Sequence, residues 1–220
     1  MNILIVSAAN VLHAKHVSTS LKTSEVICNL LNEQTEGAVV KTIQMVDLEL
    51  KPCIMCGKCH LAKWNCVFDT HYNHLLGSIR QADAVFFVIP YYAPIPSKMS
   101  IVLEKVQEMC FIQMCIDKTQ QYFLKDKIAA LVVHGGSPKE YLSTYRSNLL
   151  DPIAAALRGV GMRVVGVDAD WPSGVAFGVT GFKPAEDSIF PCAVHDWDDV
   201  RETIAPLVSK VLSALDKERA

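Results

Sequence analysis

Residues 84–89 read AVFFVI, and this continuous apolar run is the strongest strand signal in the chain. An apolar run without polar alternation is typical of a strand in a parallel sheet that is covered on both faces. The run stops at residues 90–96, PYYAPIP, where three prolines prevent both helix formation and ladder pairing. The stretch therefore predicts a buried strand that leads into a stiff loop.

Further apolar runs alternate with segments of helical period along the rest of the chain. Strands are predicted for residues 2–6, 38–45, 128–133 and 162–167. Helices are predicted for residues 23–32, 70–79, 98–115, 141–160 and 198–215. Five strands separated by helices predict an α/β fold, a doubly wound five-stranded parallel sheet with helices on both faces.

Length and composition predict a single domain, residues 1–220. Half of the 220 residues are apolar, which is enough for one well-filled core. Within this domain, residues 51–66 are expected to form an inserted cysteine loop. Residues 168–196 are rich in Gly and Pro without a clear period, so we expect an irregular excursion before the C-terminal helix. A lid, an oligomer contact and a plain surface excursion all fit this stretch.

Net charge and the N-terminus bear on partners and location. The net charge is -2 and Lys and Arg form no clustered stripe, so no nucleic-acid partner is predicted. The apolar run at residues 2–6 lacks a basic region before it and is far too short for a signal segment or a membrane span. We therefore expect a cytoplasmic protein whose partners are small molecules or other proteins, with no membrane partner.

Half of the eight cysteines lie in residues 51–66, at spacings of two, two and six residues. These four are Cys53, Cys56, Cys59 and Cys66. Three cysteines at successive two-residue gaps can turn their thiolates inward from one tight loop, as ligands of a compact iron-sulfur cluster do. In a reducing compartment such a set indicates a metal or redox site rather than a disulfide scaffold.

Two other interpretations of the cysteine loop stay open. The loop could carry its cysteines without any cluster. It could also bind zinc as a structural or regulatory module, although structural zinc sites usually separate two Cys-x-x-Cys pairs by a longer loop.

Three of the predicted strands end in unusual loops, and ligands of doubly wound sheets bind outside the carboxyl ends of the strands. The first loop begins at Ser7 and is rich in hydroxyl groups that lead into a helix start, where free amides and the helix dipole attract a phosphate. Neither a dinucleotide glycine fingerprint nor a Walker lysine motif is present, which leaves a monophosphate as ligand. A solvated polar loop with an ordinary N-cap is the alternative.

The other two loops offer a flat aromatic surface and an accessible backbone. Tyr91 and Tyr92 lie on a stiff backbone, where a ring can stack on a flat heterocycle, although core packing is expected for one of the two. Gly135 and Gly136 follow His134, and glycine lets the backbone approach a ligand closely because it has no Cβ. A plain tight turn is the alternative for this loop, and His134 alone is weak evidence of catalysis.

Taken together, these features resemble the flavodoxin-like NAD(P)H-dependent FMN reductase superfamily, and most closely its iron-sulfur flavoprotein branch. The resemblance covers roughly residues 1–167. It is carried by the phosphate-type loop, the Lys51-Pro52-Cys53-x-x-Cys56-x-x-Cys59 segment with Cys66 and Asp69, Pro90-x-Tyr92 with Pro96-Ser97, and Gly135-Gly136.

The resemblance implies a flavodoxin-like fold with FMN at the three loops. For the iron-sulfur branch it also implies a 4Fe-4S cluster on the four cysteines that passes electrons to FMN, and assembly into homodimers or homotetramers. The residues expected to contact FMN are Ser7, Ser18, Ser20, Lys22, Thr23, Pro90, Tyr91, Tyr92, Ala93, Pro94, Ile95, His134, Gly135 and Gly136.

Two loops depart from the pattern of these relatives. Residues 8–11 read AANV where relatives have a Gly-Ser-Pro-Arg type start, so the usual serine hydroxyl is lost at Ala9. The loop is also longer before Thr23, which we match to the phosphate-binding threonine of the family. In the third-strand loop, Ala93 and Pro94 replace the more usual aromatic-glycine pair.

The predicted function is that of an FMN-dependent oxidoreductase in which the flavin carries the chemistry, so we assign no catalytic acid or base. With the cluster, a ferredoxin-like donor is expected. Without it, the chain would be an NAD(P)H-dependent reductase of a quinone, a nitro compound or free flavin. A non-enzymatic flavodoxin-type electron carrier is the competing class. Such carriers are small and acidic, whereas this chain is longer and nearly neutral, which favours an enzyme.

Overall fold

A computed structural model describes residues 1–10, 18–92, 94–119, 121–185 and 191–219 of the chain. The strands are β1 (Asn2–Ser7), β2 (Val39–Gln44), β3 (Ala84–Pro90), β4 (Ile128–His134), β5 (Arg163–Val165), β6 (Val175–Phe177), β7 (Gly181–Lys183) and β8 (Cys192–Val194). The α-helices are α1 (Thr19–Gln34), α2 (Thr70–Gln81), α3 (Ser97–Ile116), α4 (Leu142–Tyr145), α5 (Asp151–Gly159) and α6 (Trp197–Arg219).

The main sheet is parallel, with the strand order β2-β1-β3-β4-β5. This is the flavodoxin-like order, in which the winding direction reverses between β1 and β3. β3 and β4 are buried at every position and pair from Ala84 with Ile128 to Pro90 with His134. The predicted doubly wound parallel sheet is therefore confirmed.

Helices cover both faces of this sheet. On one face, Leu4, Val85 and Phe87 belong to a buried cluster that includes side chains of α2, α3 and α5. On the other face, Ile3, Phe86 and other sheet residues pack with side chains of α1 and α6. Alternate residues of each strand therefore serve opposite cores, which explains why these strands are apolar throughout.

The strand after α5 is shorter than its apolar run predicts, and a sixth strand continues its place in the sheet. β5 pairs with residues 128–130 of β4, whereas β6 pairs with residues 132–134 of the same strand. Between them the chain leaves the sheet at Gly166 and returns at Val175. Part of the predicted irregular stretch 168–196 is therefore sheet structure, and its residues 181–183 and 192–194 pair as a small antiparallel ribbon.

Two predicted helices also differ from the observed ones. α1 begins at Thr19 rather than residue 23, because the Ser18 hydroxyl accepts a hydrogen bond from the backbone N–H of Leu21 at 3.4 Å and caps the helix. The predicted helix 141–160 contains a π-helical turn, Arg146–Leu150, just before Pro152. Proline cannot donate the regular hydrogen bond and clashes with the carbonyl four residues earlier, which explains the wider turn.

Among the helices of the described residues, none is both long enough and apolar enough to cross a membrane.

The return of the chain at β6 depends on Gly174. Its φ is +143°, and a Cβ placed there would lie 2.3 Å from the carbonyl oxygen of Leu131 in β4. Replacing Gly174 by Ala is expected to lower the free energy of unfolding by about 2–4 kcal/mol, because β6 must move away from β4.

Urea unfolding measures this change, with Gly77→Ala as the matched control. Gly77 lies inside α2, and no heavy atom is within 4 Å of its would-be Cβ. The control is expected to raise the free energy of unfolding by about 0.5–1 kcal/mol. Equal stability of Gly174→Ala and the wild type would show that this close approach does not constrain the fold.

Candidate functional site at the carboxyl edge of the sheet

The ends of β1, β3 and β4 meet at one edge of the sheet. The backbone N–H of Ala8 donates to the carbonyl of Val88 at 2.9 Å, and that of Tyr91 donates to the carbonyl of His134 at 2.8 Å. The start of α1 joins them, since Ser20 Oγ lies 2.7 Å from His134 Nε2. The structure thus brings together the described parts of all three loops that the sequence singled out.

The polar side chains around the start of α1 fall into an accessible set and a buried set. Ser18 caps the helix and is half-buried, and Lys22 is exposed with its ammonium group 4.3 Å from the centre of the Trp197 ring. Ser7 and Ser20 are buried, and so is Thr23, whose hydroxyl donates to the carbonyl of Thr19 at 2.7 Å. The predicted phosphate contact of Thr23 therefore has no support from its position here and stays a prediction. Residues 11–17 of this loop lie outside the described residues.

A pair of histidines lies beneath the start of α1. His134 is only 6 % exposed, and burial, with a smaller contribution from His195, lowers its pKa to about 3. Burial also lowers the pKa of His195. Both rings are therefore neutral at neutral pH, so each carries one donor and one acceptor nitrogen.

The hydrogen bonds of His195 determine which nitrogen carries its proton. Nδ1 lies 2.9 Å from the carbonyl oxygen of Gly178, which can only accept, so Nδ1 is the protonated nitrogen. Nε2 must then accept from the hydroxyl of Thr19, 3.2 Å away. Thr19 is one of the hydroxyl residues of the predicted phosphate loop. His195 was not predicted, because the irregular stretch has no period that places its residues against a distant helix.

The loop after β3 presents one tyrosine to solvent and packs the other. The Tyr91 ring lies 4.9 Å from the Tyr145 ring, centre to centre. Tyr92 is 39 % exposed, and its backbone N–H donates to the carbonyl of Pro94 at 2.9 Å. The packing expected for one of the two therefore applies to Tyr91. Pro90 is buried as the last residue of β3, Ile95 is half-buried, and Ala93 lies outside the described residues.

The glycines after β4 approach other parts of the chain. A Cβ on Gly135 would lie 2.5 Å from the hydroxyl oxygen of Tyr145, which also accepts a hydrogen bond of 2.6 Å from the backbone N–H of Ser137. Tyr145 therefore leaves no room for a Cβ at Gly135. The sequence-based prediction instead explained this glycine by the close approach of a ligand to the backbone. Gly136 is exposed, and its Cβ would be in ordinary contact with the Phe182 ring.

A buried ion pair anchors the cysteine loop, residues 51–66. Asp69 Oδ2 lies 2.6 Å from Lys105 Nζ, and both side chains are 1 % exposed. The same carboxylate accepts from the backbone N–H of Lys51 at 2.8 Å and, through Oδ1, from that of Tyr72 at 2.8 Å. Burial alone would raise the pKa of Asp69, but the hydrogen bonds from Lys105, Lys51 and Tyr72 lower it overall. Asp69 therefore holds the start of the loop and caps α2 at once.

Further hydrogen bonds hold the cysteines themselves. The backbone N–H of Cys53 donates to Glu104 at 3.0 Å, and Cys66 exchanges two hydrogen bonds with the side chain of Asn73, at 2.7 and 2.8 Å. Lys105 Nζ lies 3.7 Å from the sulfur of Cys66. The loop is thus fixed by protein groups from α2 and α3.

The four cysteines do not converge on one metal site in this structure. Cys59 is buried, Cys53 and Cys66 are half-buried and Cys56 is exposed. Burial raises the pKa values of Cys53 and Cys59, so both thiols are protonated at neutral pH when no metal is bound. Across the described ranges, which include all four cysteines, no group of three or more His, Cys, Asp or Glu residues could hold a metal ion. The cluster therefore stays a prediction of the spacing.

A groove of about 500 Å³ lies between α3 and α5, and Ile95 of the loop after β3 is among the residues that line it. Leu103, Phe111 and Pro152 line it, together with Glu104 and Glu108. Two carboxylates repel a phosphate, so this groove is a poor site for a phosphorylated ligand.

Comparison with solved structures supports the fold. RosB with bound 8-demethyl-8-formylriboflavin-5'-phosphate is 15% identical, with a TM-score of 0.61, and the match covers 100% of this chain and 80% of that chain. An oxidoreductase from Corynebacterium diphtheriae is 15% identical, with a TM-score of 0.57 and coverage of 99% and 98%. A Fusobacterium nucleatum flavodoxin bound to flavin mononucleotide is 13% identical, with a TM-score of 0.54 and coverage of 96% and 95%. At these identities the likeness shows a flavodoxin-like fold alone.

Comparison of the sequence identifies the family. No curated protein matches the chain. The family model of the NADPH-dependent FMN reductases matches residues 1–166, which contain β1 to β5 and the three loops at the carboxyl edge. The chain therefore belongs to the NADPH-dependent FMN reductase family, whose members are flavin-dependent oxidoreductases.

Proposed function

We propose that this chain binds FMN at the carboxyl edge of β1, β3 and β4 and uses it as an NAD(P)H-dependent oxidoreductase. The observation that carries the proposal is the meeting of three loop starts where the winding of the sheet reverses, the position at which doubly wound sheets bind ligands. Membership of the FMN reductase family identifies the ligand as FMN.

At the phosphate end, the start of α1 offers the binding groups. The first backbone N–H groups of a helix have no partner within the helix, and the helix dipole favours an anion there. The exposed side chain of Lys22 adds a positive charge close to this turn. Ser18 and Lys22, rather than the buried Ser20 and Thr23, are therefore the side chains best placed to approach the phosphate.

Asn10 offers a further contact between the phosphate end and the ring end. Its amide nitrogen donates to the hydroxyl of Ser97 at 3.5 Å, and its buried amide oxygen accepts no hydrogen bond from any described residue. A buried amide oxygen normally has a partner. A hydroxyl group of the ligand's ribityl chain would satisfy it.

At the ring end, Tyr92 and the loop around it would cover the flavin. The exposed ring of Tyr92 is available for stacking, because its neighbour Tyr91 is the one that packs on Tyr145. Gly136 leaves its exposed backbone open to the same edge. When bound, FMN supplies the transfer of two electrons from a reduced nicotinamide to a quinone, a nitro compound or free flavin. The residues of the edge bind and orient it.

In this proposal, electrons do not pass through the cysteine loop. Within the described residues the four cysteines do not form a metal-binding group, so a ferredoxin-like donor, which the cluster would call for, is not part of the proposed route. Assembly into a homodimer or homotetramer stays a prediction of the family resemblance.

The first prediction concerns flavin binding and turnover. The purified chain is expected to bind FMN and to oxidise NADPH when a quinone is present, and Tyr92→Ala should raise the Kd for FMN about two- to tenfold through lost stacking. Tyr141→Ala is the matched control, because Tyr141 is 59 % exposed and lies in the 3-10 turn Lys139–Tyr141, beyond Gly135 and Gly136. Fluorescence titration and NADPH absorbance provide the measurements.

Two results would contradict this proposal in different ways. A wild-type chain that binds no FMN would refute the assigned site. A chain that binds FMN but oxidises no NADPH with any acceptor would be an electron carrier of the flavodoxin type.

The second prediction concerns iron. After anaerobic reconstitution with iron and sulfide, the wild type is expected to hold no more iron than Cys56→Ser, and its visible spectrum should be that of flavin alone. Cys115→Ser serves as control, since Cys115 is exposed and lies outside the loop. About four irons per chain, lost in Cys56→Ser and kept in Cys115→Ser, would instead establish a cluster on the cysteine loop.

A further inference from the structure

The stretch between β5 and α6 joins the strand that ends in His134. β6 pairs in parallel with the carboxyl half of β4, Val132 with Val175 and His134 with Phe177. Directly after β6, the backbone N–H of Val179 donates to the carbonyl of Ser137 at 3.0 Å. This stretch lies beyond residue 166, where the match to the family model ends. It is therefore a feature of this chain that the family match does not explain.

The same stretch also reaches the start of α1 through His195. Its Nδ1–H donates to the carbonyl of Gly178 at 2.9 Å, and its Nε2 accepts from the Thr19 hydroxyl at 3.2 Å. Thr19 is the first residue of α1 and directly follows the N-cap. One imidazole thus links the end of β6 to the turn at which the phosphate of FMN is placed.

Aromatic contacts hold the His195 ring in this position. Phe177 stacks on His134 at 5.6 Å and meets His195 edge-on at 5.3 Å, measured between ring centres. Trp197 lies 5.4 Å from His195 on another side, and the ammonium group of Lys22 lies over Trp197. The ring cannot turn without disturbing several packed groups, so its acceptor nitrogen stays directed at Thr19.

We propose that His195 is a positioning residue for the phosphate end of bound FMN. It acts through Thr19, whose hydroxyl it holds, and so keeps the first turn of α1 formed with its free N–H groups directed outward. A turn that is already ordered binds an anion without the entropic cost of ordering it. The inference rests on the proposed FMN site. It assigns the stretch between β5 and α6 a role in cofactor affinity that differs from a lid or an oligomer contact.

This role predicts selective loss of FMN affinity. Riboflavin has the same ring and ribityl chain as FMN but no phosphate, so its binding does not use the first turn of α1. His195→Phe keeps an aromatic ring of similar shape and removes both nitrogens, and Thr19→Val removes the hydroxyl alone. Each variant is expected to raise the Kd for FMN about tenfold and to change the Kd for riboflavin less than about twofold.

The experiment titrates FMN and riboflavin into the full chain and its variants, with flavin fluorescence as the readout. Thr19→Ser keeps the hydroxyl and should retain FMN affinity. The double variant His195→Phe/Thr19→Val should bind FMN about as weakly as either single variant, because all three lose the same contact. His74→Phe, at an exposed histidine of α2, is the control and should bind both flavins as the wild type does.

The outcomes separate the two proposals. A wild type that binds no FMN refutes the FMN site and this inference with it. A wild type that binds FMN, with variants that leave the ratio of the two Kd values unchanged, refutes the inference alone. Selective loss of FMN affinity supports both. If His195→Phe does not fold by circular dichroism, Thr19→Val decides, because it changes one hydroxyl on a half-buried helix start.

Discussion

The parallel pairing of β3 with β4 is the constraint on which the site depends. Both strands are buried over their whole length and stay in register to their last residues, Pro90 and His134. Because parallel strands end at the same edge, this pairing places the loop after β3, with Tyr91 and Tyr92, directly beside the loop after β4, with Gly135 and Gly136. β1 lies on the other side of β3 and brings the start of α1 to the same edge. The pairing of the strands therefore places the proposed FMN site at this edge, although the loops themselves contain no regular motif.

Residues that follow β5 add further contacts to this edge. β6 extends the sheet only beside the carboxyl half of β4, and His195, just before α6, contacts Thr19 at the start of α1. Burial keeps His134 and His195 neutral, so they act as hydrogen-bonding groups rather than as charges. The cysteine loop lies at the end of β2 and depends on a different buried polar group, the Asp69–Lys105 pair. Removing either partner would leave a buried charge unpaired, so the start of the loop depends on this pair.

The sequence predicted most strands of the sheet correctly but did not predict much of the site. The apolar runs at residues 84–89 and 128–133 predicted strands correctly because full burial on both faces leaves a plain signal. β6 was not predicted, since three residues in a stretch rich in Gly and Pro give no period. The role of Gly135 depends on a contact with Tyr145 that no local pattern reveals. The Thr23 hydroxyl bonds back to the Thr19 carbonyl within α1, a local alternative to ligand binding that helical threonines often adopt. The spacing of the cysteines likewise indicates which thiols are neighbours in sequence but not in which direction each side chain points. In the cysteine loop, the backbone enters the left-handed region at Met55, Lys63 and Trp64, with φ of 50°, 53° and 61°.

We propose that FMN binds at the edge formed by β1, β3 and β4. Hydrogen–deuterium exchange of the full chain with and without FMN tests this most directly, because it reports which backbone amides the ligand protects. We expect slower exchange in residues 18–22, 91–95 and 135–137, with little change in the residues of α3 and α5 that line the groove. Protection confined to residues 100–111 and 152–156, which line that groove, would contradict the account.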